Sequence, residues 1–134
     1  MADDGLAEVV YKVAPEVRGD ELSELFAAAW GGGAGNATRL EHILSYLCAY
    51  REGRLVGFVN LAWDGGVHAF ILDTTVHPEF QRQGIGVELV TRAAALARER
   101  GLVWLHVDFE PHLTSFYERC GFRPTAAGLM RLMD

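Results

Sequence analysis

A glycine turn between a predicted strand and a predicted helix restricts the fold of this chain more than any other feature. Residues 76–90 read VHPEFQRQGIGVELV, in which Pro78 ends an apolar run and a helical pattern begins at Gly86. Gly84 and Gly86 carry no Cβ, so their backbone can be approached closely and can adopt conformations that other residues avoid. Several N–H groups then converge at the positive end of a helix, which is an arrangement that binds anions. The sequence therefore predicts a phosphate site at residues 82–87.

Two common phosphate-binding motifs do not fit this turn. A P-loop requires Lys and then Ser or Thr after its last glycine, whereas Val87 and Glu88 follow Gly86 here. The dinucleotide fingerprint requires a third glycine after its second, for close packing of the helix on the strand, and Leu89 stands at that position. The pattern of this turn is Gln or Arg, then any two residues, Gly, any residue, and Gly or Ala. A strand, Val-x-Pro and an aromatic residue precede it.

This remaining pattern resembles the acetyl-CoA pyrophosphate motif of the GNAT superfamily of N-acetyltransferases. A second segment, residues 115–122, reads SFYERCGF and is similar to the family's Phe-Tyr-Glu-x-x-Gly-Phe signature. The resemblance implies an α/β GNAT fold in a single domain over residues 1–134. It implies a mixed central sheet of roughly six to seven strands with about four helices on its two faces. The implied activity is acetyl transfer from acetyl-CoA to a primary amine.

Hydrophobic periodicity predicts the elements around the two motifs. Strands are expected at 8–13, 56–62, 67–76, 102–107 and 129–133. Helices are expected at 21–30 with Asp20 as the N-cap, from about Thr38 with Leu40, Ile43, Leu44 and Leu47 on one face, at 86–100, and from Pro111 to Gly121. Because residues 102–107 are almost all apolar, that strand is expected to be buried on both faces beside a parallel neighbour.

Composition and charge exclude several classes of protein. The formal net charge of −6 argues against a nucleic-acid partner, whose footprint would be a basic face. No apolar run approaches the roughly 18 residues of a membrane span, and the acidic start lacks the basic region of a signal peptide. A cytoplasmic monomer or homodimer without a membrane partner is therefore expected. Cys48 and Cys120 lack metal-type spacing, so we expect no metal and two reduced core cysteines.

The resemblance also implies how acetyl-CoA is held. In the family, two adjacent parallel strands, here ending near Val76 and Val107, splay apart, and the pantetheine arm pairs with the first. Thr74, Thr75 and Val76 would supply the backbone hydrogen bonds, and one N–H group could stabilise the thioester oxygen as it gains charge. The residues implied to hold the pyrophosphate are Arg82, Gln83, Gly84, Ile85, Gly86 and Val87. Glu110 stands where the family often has Asn, and a carboxylate cannot donate the same hydrogen bond to the cofactor.

Tyr117 is the catalytic residue that the resemblance implies. A phenol has a pKa of about 10 and a thiol one of about 8.5, so Tyr117 can donate a hydrogen bond to the departing thiolate and transfer a proton only slightly uphill. The alternative is that Tyr117 is a packing residue of an amphipathic helix. No other side chain is a credible nucleophile, so direct attack by the amine in a ternary complex is expected.

The general base is left open by the sequence. An alkyl ammonium group, with a pKa of about 10.4, must lose a proton before it attacks. Many family members use Glu or His at positions that correspond to Phe70 and Leu72, which cannot take a proton. Asp73 is expected on the other face of the strand, because side chains alternate. The remaining candidates are His68, His106, Asp108, His112 or a water molecule. The missing base also leaves a second interpretation, a non-catalytic acyl-CoA-binding regulatory module.

The resemblance implies that the acceptor site is lined by the first two helices and by the loop that joins them. That loop, residues 30–36, reads WGGGAGN, and we expect it to be mobile and to close over the acceptor. The acidic residues Glu24 and Glu41 favour a cationic amine, carried by a small molecule or a peptide.

Overall fold

The computed structural model describes residues 8–31 and 43–133 of the chain. Five strands form one mixed sheet in the order β1-β2-β3-β4-β5. The strands are β1 (Val9–Val13), β2 (Ser45–Arg51), β3 (Arg54–Trp63), β4 (His68–Val76) and β5 (Trp104–His106). The helices are α1 (Gly19–Trp30), α2 (Ile85–Glu99) and α3 (Thr114–Arg119), with short 3-10 turns at Pro78–Phe80 and Pro111–Leu113. Strands β1 to β4 pair with one another in antiparallel fashion, and β5 pairs with β4 in parallel.

Helix α2 covers one face of the sheet. Its apolar stripe packs against the side chains that β2, β3 and β4 direct to this face, and together they form the larger core cluster. Gly57 of β3 lies beneath the helix, where a Cβ would stand 2.9 Å from Leu89 Cδ1 and 3.1 Å from Ile85 Cγ2. The close approach of α2 to the sheet therefore depends on glycine at position 57.

Helix α1 covers the opposite face, over β3 and β4. Its buried residues pack against a second core cluster, in which the rings of Phe26 and Phe58 meet edge to face with centroids 5.6 Å apart. The helix begins at Gly19 with Arg18 as its N-cap, so the expectation of an Asp20 cap is wrong. The Glu21 carboxylate accepts a hydrogen bond from the Arg18 backbone N–H at 3.3 Å, which satisfies one donor at the helix start.

The second predicted helix is contradicted where the structure describes it. Leu47 lies in β2, where it pairs with Val13 on one side and Val59 on the other. Apolar residues at 43, 44 and 47 satisfy the helical period, but pairing between two strands overrides that local preference. Thr38, Leu40 and most of the loop at 30–36 lie outside the described residues. Within the described ranges there are five strands and three helices, fewer than the six to seven strands and four helices expected.

The two strands predicted near the end of the chain also differ from expectation. The strand predicted at 102–107 is shortened to β5, and Trp104 is 56% exposed, so β5 is not buried on both faces. Residues 129–133, the predicted last strand, have no regular structure. As a result, β5 has no strand beside its outer edge among the described residues. In the same ranges, none of the helices combines the length and the apolar character needed to cross a lipid bilayer.

Candidate active site

The parallel strands β4 and β5 separate after Phe70. Their pairing covers only the three residues from His68 to Phe70, while β4 continues to Val76 and stays paired with β3 on its other side. Residues 71–76 therefore present an edge that no described strand occupies. At roughly 3.3 Å per residue this edge is about 20 Å long, so an extended chain can pair with the β4 backbone there.

The glycine turn at the start of α2 has the geometry of an anion site. Gly84 is the N-cap of α2 with φ +83°, and Arg82 also has a positive φ of +64°. Left-handed residues in this alternation turn successive N–H groups toward one concave point. None of the N–H groups of residues 82–87 donates a backbone hydrogen bond to another described residue, and the first such bond runs from Glu88 to the Gly84 carbonyl at 3.0 Å. The turn therefore fits a pyrophosphate group.

The two glycines of the turn have different reasons to be glycine. A Cβ at Gly84 would meet nothing within 4 Å, so only its positive φ requires glycine there. A Cβ at Gly86 would lie 3.0 Å from Phe116 Cε1 and 3.5 Å from Val76 Cγ2. Gly86 thus allows Phe116 of α3 to pack against the start of α2, close to the end of β4.

Arg51 holds the turn from the side of the sheet. Its guanidinium is buried, donates to Gln83 Oε1 at 3.1 Å and lies 5.4 Å from the Phe80 ring centroid. The Arg54 guanidinium also lies near this ring, 5.9 Å from its centroid. The side chain of Gln83 is therefore an anchor within the protein, while its backbone remains available to a ligand. Sequence reasoning missed Arg51, which is the last residue of a strand, β2, that was not predicted.

Tyr117 lies buried on α3 among aromatic rings. Its ring stacks on Phe109 at 4.8 Å and meets Phe116 and Phe122 edge to face. Burial raises the pKa of the Tyr117 phenol, and the neighbouring Thr74 hydroxyl partly lowers it. The Thr74 hydroxyl oxygen is buried and has no hydrogen-bond partner among the described residues. The structure thus brings Tyr117 to the open edge of β4 as a phenol that stays protonated at neutral pH.

Asp73 occupies a bulge in β4. Phe58 pairs with Thr75 and Asn60 pairs with Leu72, so Asp73 and Thr74 together stand opposite one residue of β3. The extra residue switches the alternation of the strand. Ile71 and Val76 both pack in the cluster beneath α2 although one is odd-numbered and the other even.

The Asp73 side chain therefore lies on the α1 face of the sheet. Its φ is +57°, and its Oδ2 accepts a hydrogen bond from Asn60 Nδ2 at 2.6 Å. Asn60 follows Phe58 by two residues in β3 and so shares the face that α1 covers. The expectation that Asp73 points away from the Leu72 face is wrong. Alternation alone could not reveal this carboxylate, because the residue pattern of 68–76 carries no mark of the bulge.

Two of the histidines that the sequence offered as general bases, His68 and His106, lie far along β4 from Thr74. His68 Nδ1 and His106 Nε2 are 2.7 Å apart, and Phe70 stacks on the His106 ring at 4.8 Å. This pair sits where β4 and β5 remain paired, about 20 Å along the strand from Thr74 at roughly 3.3 Å per residue. Asp108 is closer to the chemistry, since its charge contributes to the raised pKa of Tyr117.

His112 and Glu110 both lie exposed at the 3-10 turn that precedes α3. No cluster of three or more potential metal ligands occurs within residues 8–31 and 43–133.

Comparison with known proteins gives a consistent result. A family model described as the acetyltransferase (GNAT) family matches residues 7–122. An uncharacterized N-acetyltransferase, ycf52, of Pyropia yezoensis is 33% identical over 71 residues, which are 53% of this chain and 41% of that protein. The mycothiol acetyltransferase of Mycolicibacterium vanbaalenii is 33% identical over 66 residues, or 49% of this chain and 22% of that protein. The chain thus spans less than half the length of these curated relatives.

Solved structures resemble the chain over nearly all of its length. A GNAT family acetyltransferase from Streptococcus pneumoniae superposes with a TM-score of 0.72 at 25% identity, covering 94% of this chain and 100% of that one. A Bacillus subtilis acetyltransferase solved in complex with CoA superposes with a TM-score of 0.73 at 24% identity, covering 89% of this chain and 79% of that one.

Proposed function

Since the chain belongs to the GNAT family of acetyltransferases, we propose that it transfers the acetyl group of acetyl-CoA to a primary amine by direct attack in a ternary complex. The observation that carries the proposal is the meeting of three features at one edge of the sheet. These are the open edge of β4, the anion-binding turn before α2 and the protonated phenol of Tyr117. An acetylated cysteine intermediate is disfavoured, because burial raises the pKa of Cys48 to about 12 and also raises that of Cys120.

The cofactor is held by backbone more than by side chains in this proposal. The N–H groups of residues 82–87 bind the pyrophosphate, with the exposed Arg82 side chain beside it. The backbone of Thr74, Thr75 and Val76 pairs with the pantetheine arm. Glu110 donates no hydrogen bond that would replace that of an asparagine, so cofactor affinity depends on the turn and the strand edge.

Tyr117 assists the leaving group. A phenol whose pKa lies above its usual value of about 10 is a hydrogen-bond donor at neutral pH. The departing thiolate accepts that hydrogen bond, which strengthens as the negative charge on sulfur develops. The interaction therefore stabilises the transition state more than the bound substrate.

In this proposal, the Asp73 carboxylate binds the acceptor amine. It is adjacent in the chain to Thr74, whose hydroxyl neighbours Tyr117, but its carboxylate lies on the face of α1. A carboxylate in that position attracts a cationic amine. It also accepts, directly or through water, the proton that the bound ammonium must lose before its nitrogen can attack the thioester carbon. The second proton, which becomes acidic after the attack, leaves to water.

Glu24 contributes less to acceptor binding than the sequence suggested. Together with Glu21 it lines a cavity of about 130 Å³ that also contains Arg18 and Arg54. These cations offset the two carboxylates, so Asp73 is the stronger determinant of a cationic substrate. Glu41 lies outside the described residues.

A turnover assay tests the function directly. Purified protein is mixed with acetyl-CoA and a panel of small cationic amines, neutral aromatic amines and peptides, and free thiol is measured. We expect thiol release with at least one cationic amine, and release that is about 100-fold slower in the Tyr117→Phe variant. Phe70 and Leu72, which cannot act as bases, favour the alternative of a non-catalytic acyl-CoA-binding module. That alternative is supported instead if calorimetry shows tight CoA binding while no amine gives turnover.

A further inference from the structure

The buried imidazole of His77 has more hydrogen-bond donors around it than it can accept from. The backbone N–H of Glu79 donates to Nδ1 at 3.1 Å, while Arg54 Nη2, which can only donate, lies 3.1 Å from Nε2. An imidazole ring has one lone pair when it is neutral and none when it is protonated. Because Nδ1 uses that lone pair, Nε2 carries a proton and faces a second donor. His77 is only 7% exposed, so this mismatch lies inside the protein.

The Arg54 guanidinium also lacks an anionic partner within residues 8–31 and 43–133. The two salt bridges in those ranges are formed by other residues, and the Phe80 ring beside Arg54 carries no formal charge. An oxyanion placed here accepts hydrogen bonds from Arg54 Nη2 and His77 Nε2 at once. Such charge-assisted hydrogen bonds are roughly twice as strong as those between neutral groups. The two side chains together therefore form an oxyanion site.

This oxyanion site belongs to a cavity between α1 and the start of β3. Arg54 and His77 both line the cavity, and Leu25 and Leu55 add apolar surface to it. Its volume of about 130 Å³ is well below the roughly 300–1,000 Å³ of sites for drug-sized molecules. The ligand of this cavity is therefore small and partly apolar.

The other charges of the cavity favour a cationic group on the same ligand. Helix α1 contributes the carboxylates of Glu21 and Glu24 to the lining, and these repel a polyanion such as phosphate. With Arg18 and Arg54 also present, the charges of the lining side chains sum to zero. The matching ligand is therefore neutral overall and carries one negative and one positive group.

We propose that this cavity binds a small α-amino acid, with its carboxylate between Arg54 Nη2 and His77 Nε2 and its ammonium group toward the carboxylates of α1. The site is separate from the proposed acceptor site, because His77 follows Asp73 by four residues, about 13 Å at roughly 3.3 Å per residue. An amino acid bound here is held away from the thioester and is not the acetyl acceptor. Its binding does not depend on acetyl transfer.

Calorimetric titration with charge-deleted probes tests the class of ligand. The probes are glycine, L-alanine and L-serine, together with propionate, which lacks the ammonium, alaninamide, which lacks the carboxylate, and inorganic phosphate. We expect saturable binding of one amino acid per chain, and binding of the last three probes that is at least about tenfold weaker, because each loses a charged hydrogen bond or meets the α1 carboxylates. Absence of saturable binding by all three amino acids would overturn the proposal, and so would equal affinity for alanine and propionate.

Arg54→Gln tests the location of the site. Arg54 is exposed, so the variant should fold, and thermal unfolding checks this. The affinity for alanine is expected to fall about tenfold or more. Arg98→Gln, at an exposed position of α2, is the matched control and should keep the wild-type affinity. Nitrogen-15 NMR of the histidine rings is the second measurement, in which alanine should shift the Nε2 resonance of His77 and not that of His112. An unchanged His77 resonance with alanine bound would place the ligand elsewhere and overturn the proposal.

The 3′-phosphate of CoA is the other possible source of the oxyanion. Calorimetry with CoA and with dephospho-CoA, which lacks that phosphate, distinguishes the two sources in the wild type and in Arg54→Gln. We expect the 3′-phosphate to contribute the same factor to CoA affinity in both proteins, as for groups that do not interact. A contribution that disappears in Arg54→Gln, with alanine displaced by CoA, would assign the site to the cofactor and contradict the amino-acid site.

Discussion

Asn60 and Asp73 are joined by a hydrogen bond of 2.6 Å across the bulge between β3 and β4. The Asn60 side chain is fully buried, so this contact fixes a carboxylate at the sheet rather than at the surface. The positive φ of Asp73 is a conformation that residues other than glycine seldom adopt, and it persists where surrounding contacts enforce it. The bulge therefore supplies an acidic group to β4, in which Phe70 and Leu72 occupy the positions where the family resemblance implied a general base.

The first prediction concerns the charge of Asp73. The Asp73→Asn variant keeps the size of the side chain but loses the negative charge, so kcat/KM for a cationic amine is expected to fall about 100-fold. The KM for acetyl-CoA should change little, because the carboxylate faces α1 and not the glycine turn. Steady-state kinetics with each substrate varied in turn measure both quantities. Glu24→Gln is the control and should keep near-normal activity, since arginines already offset that charge. Full activity in Asp73→Asn would remove Asp73 from the mechanism.

The second prediction concerns Tyr117. Tyr117→Phe retains the aromatic packing and removes only the donor, so kcat is expected to fall about 100-fold with little change in the KM for acetyl-CoA. Because burial raises the pKa of the phenol above its usual value of about 10, loss of kcat through its ionisation should be centred above pH 10. A pH profile of kcat for wild type and variant measures this. An alkaline decrease centred near pH 8 that disappears in the variant would contradict the assigned role.

The sequence was sufficient for the glycine turn and for α2, and the reason is local. Helix start, apolar stripe and Gly101 stop are all encoded within the segment, and the observed helix, Ile85–Glu99, lies within one residue of the expected 86–100. Leu47 shows the opposite case, because its place in β2 depends on Val13 and Val59, which are distant in the chain. A local period cannot report a partner that lies elsewhere.

Asp73 was mispredicted for a related reason. A bulge is a property of two strands, since it exists only where β4 has one residue more than β3 over the same length. The segment 129–133 was expected to be a strand from its composition, and its composition is indeed that of a buried strand. What the sequence could not supply was the strand beside it.

The third prediction uses the buried thiol of Cys48. Burial raises its pKa from 9.0 to about 12, so the folded protein holds this proton at pH values where the unfolded chain has lost it. The stabilisation is complete below pH 9 and is lost as the pH rises, at up to about 1.4 kcal/mol per pH unit between 9 and 12. Urea unfolding at pH 8 and pH 11 measures the change for wild type and for Cys48→Ala. The variant should lose less stability over this interval. Equal losses in the two proteins would show that Cys48 does not titrate as inferred.

The last prediction separates the two glycines of the turn. Gly84→Val introduces a side chain into open space but disfavours the φ of +83° that directs the N–H groups at the ligand. CoA binding measured by calorimetry is therefore expected to be abolished, while the thermal unfolding midpoint changes by only a few degrees. Gly86→Ala is the matched contrast, because its methyl group would meet the Phe116 ring at 3.0 Å. Overpacking of this kind costs about 1–3 kcal/mol. The Gly86→Ala variant should therefore be less stable than Gly84→Val, and its folded fraction should still bind CoA. Unchanged CoA affinity in a folded Gly84→Val protein would show that the pyrophosphate binds elsewhere.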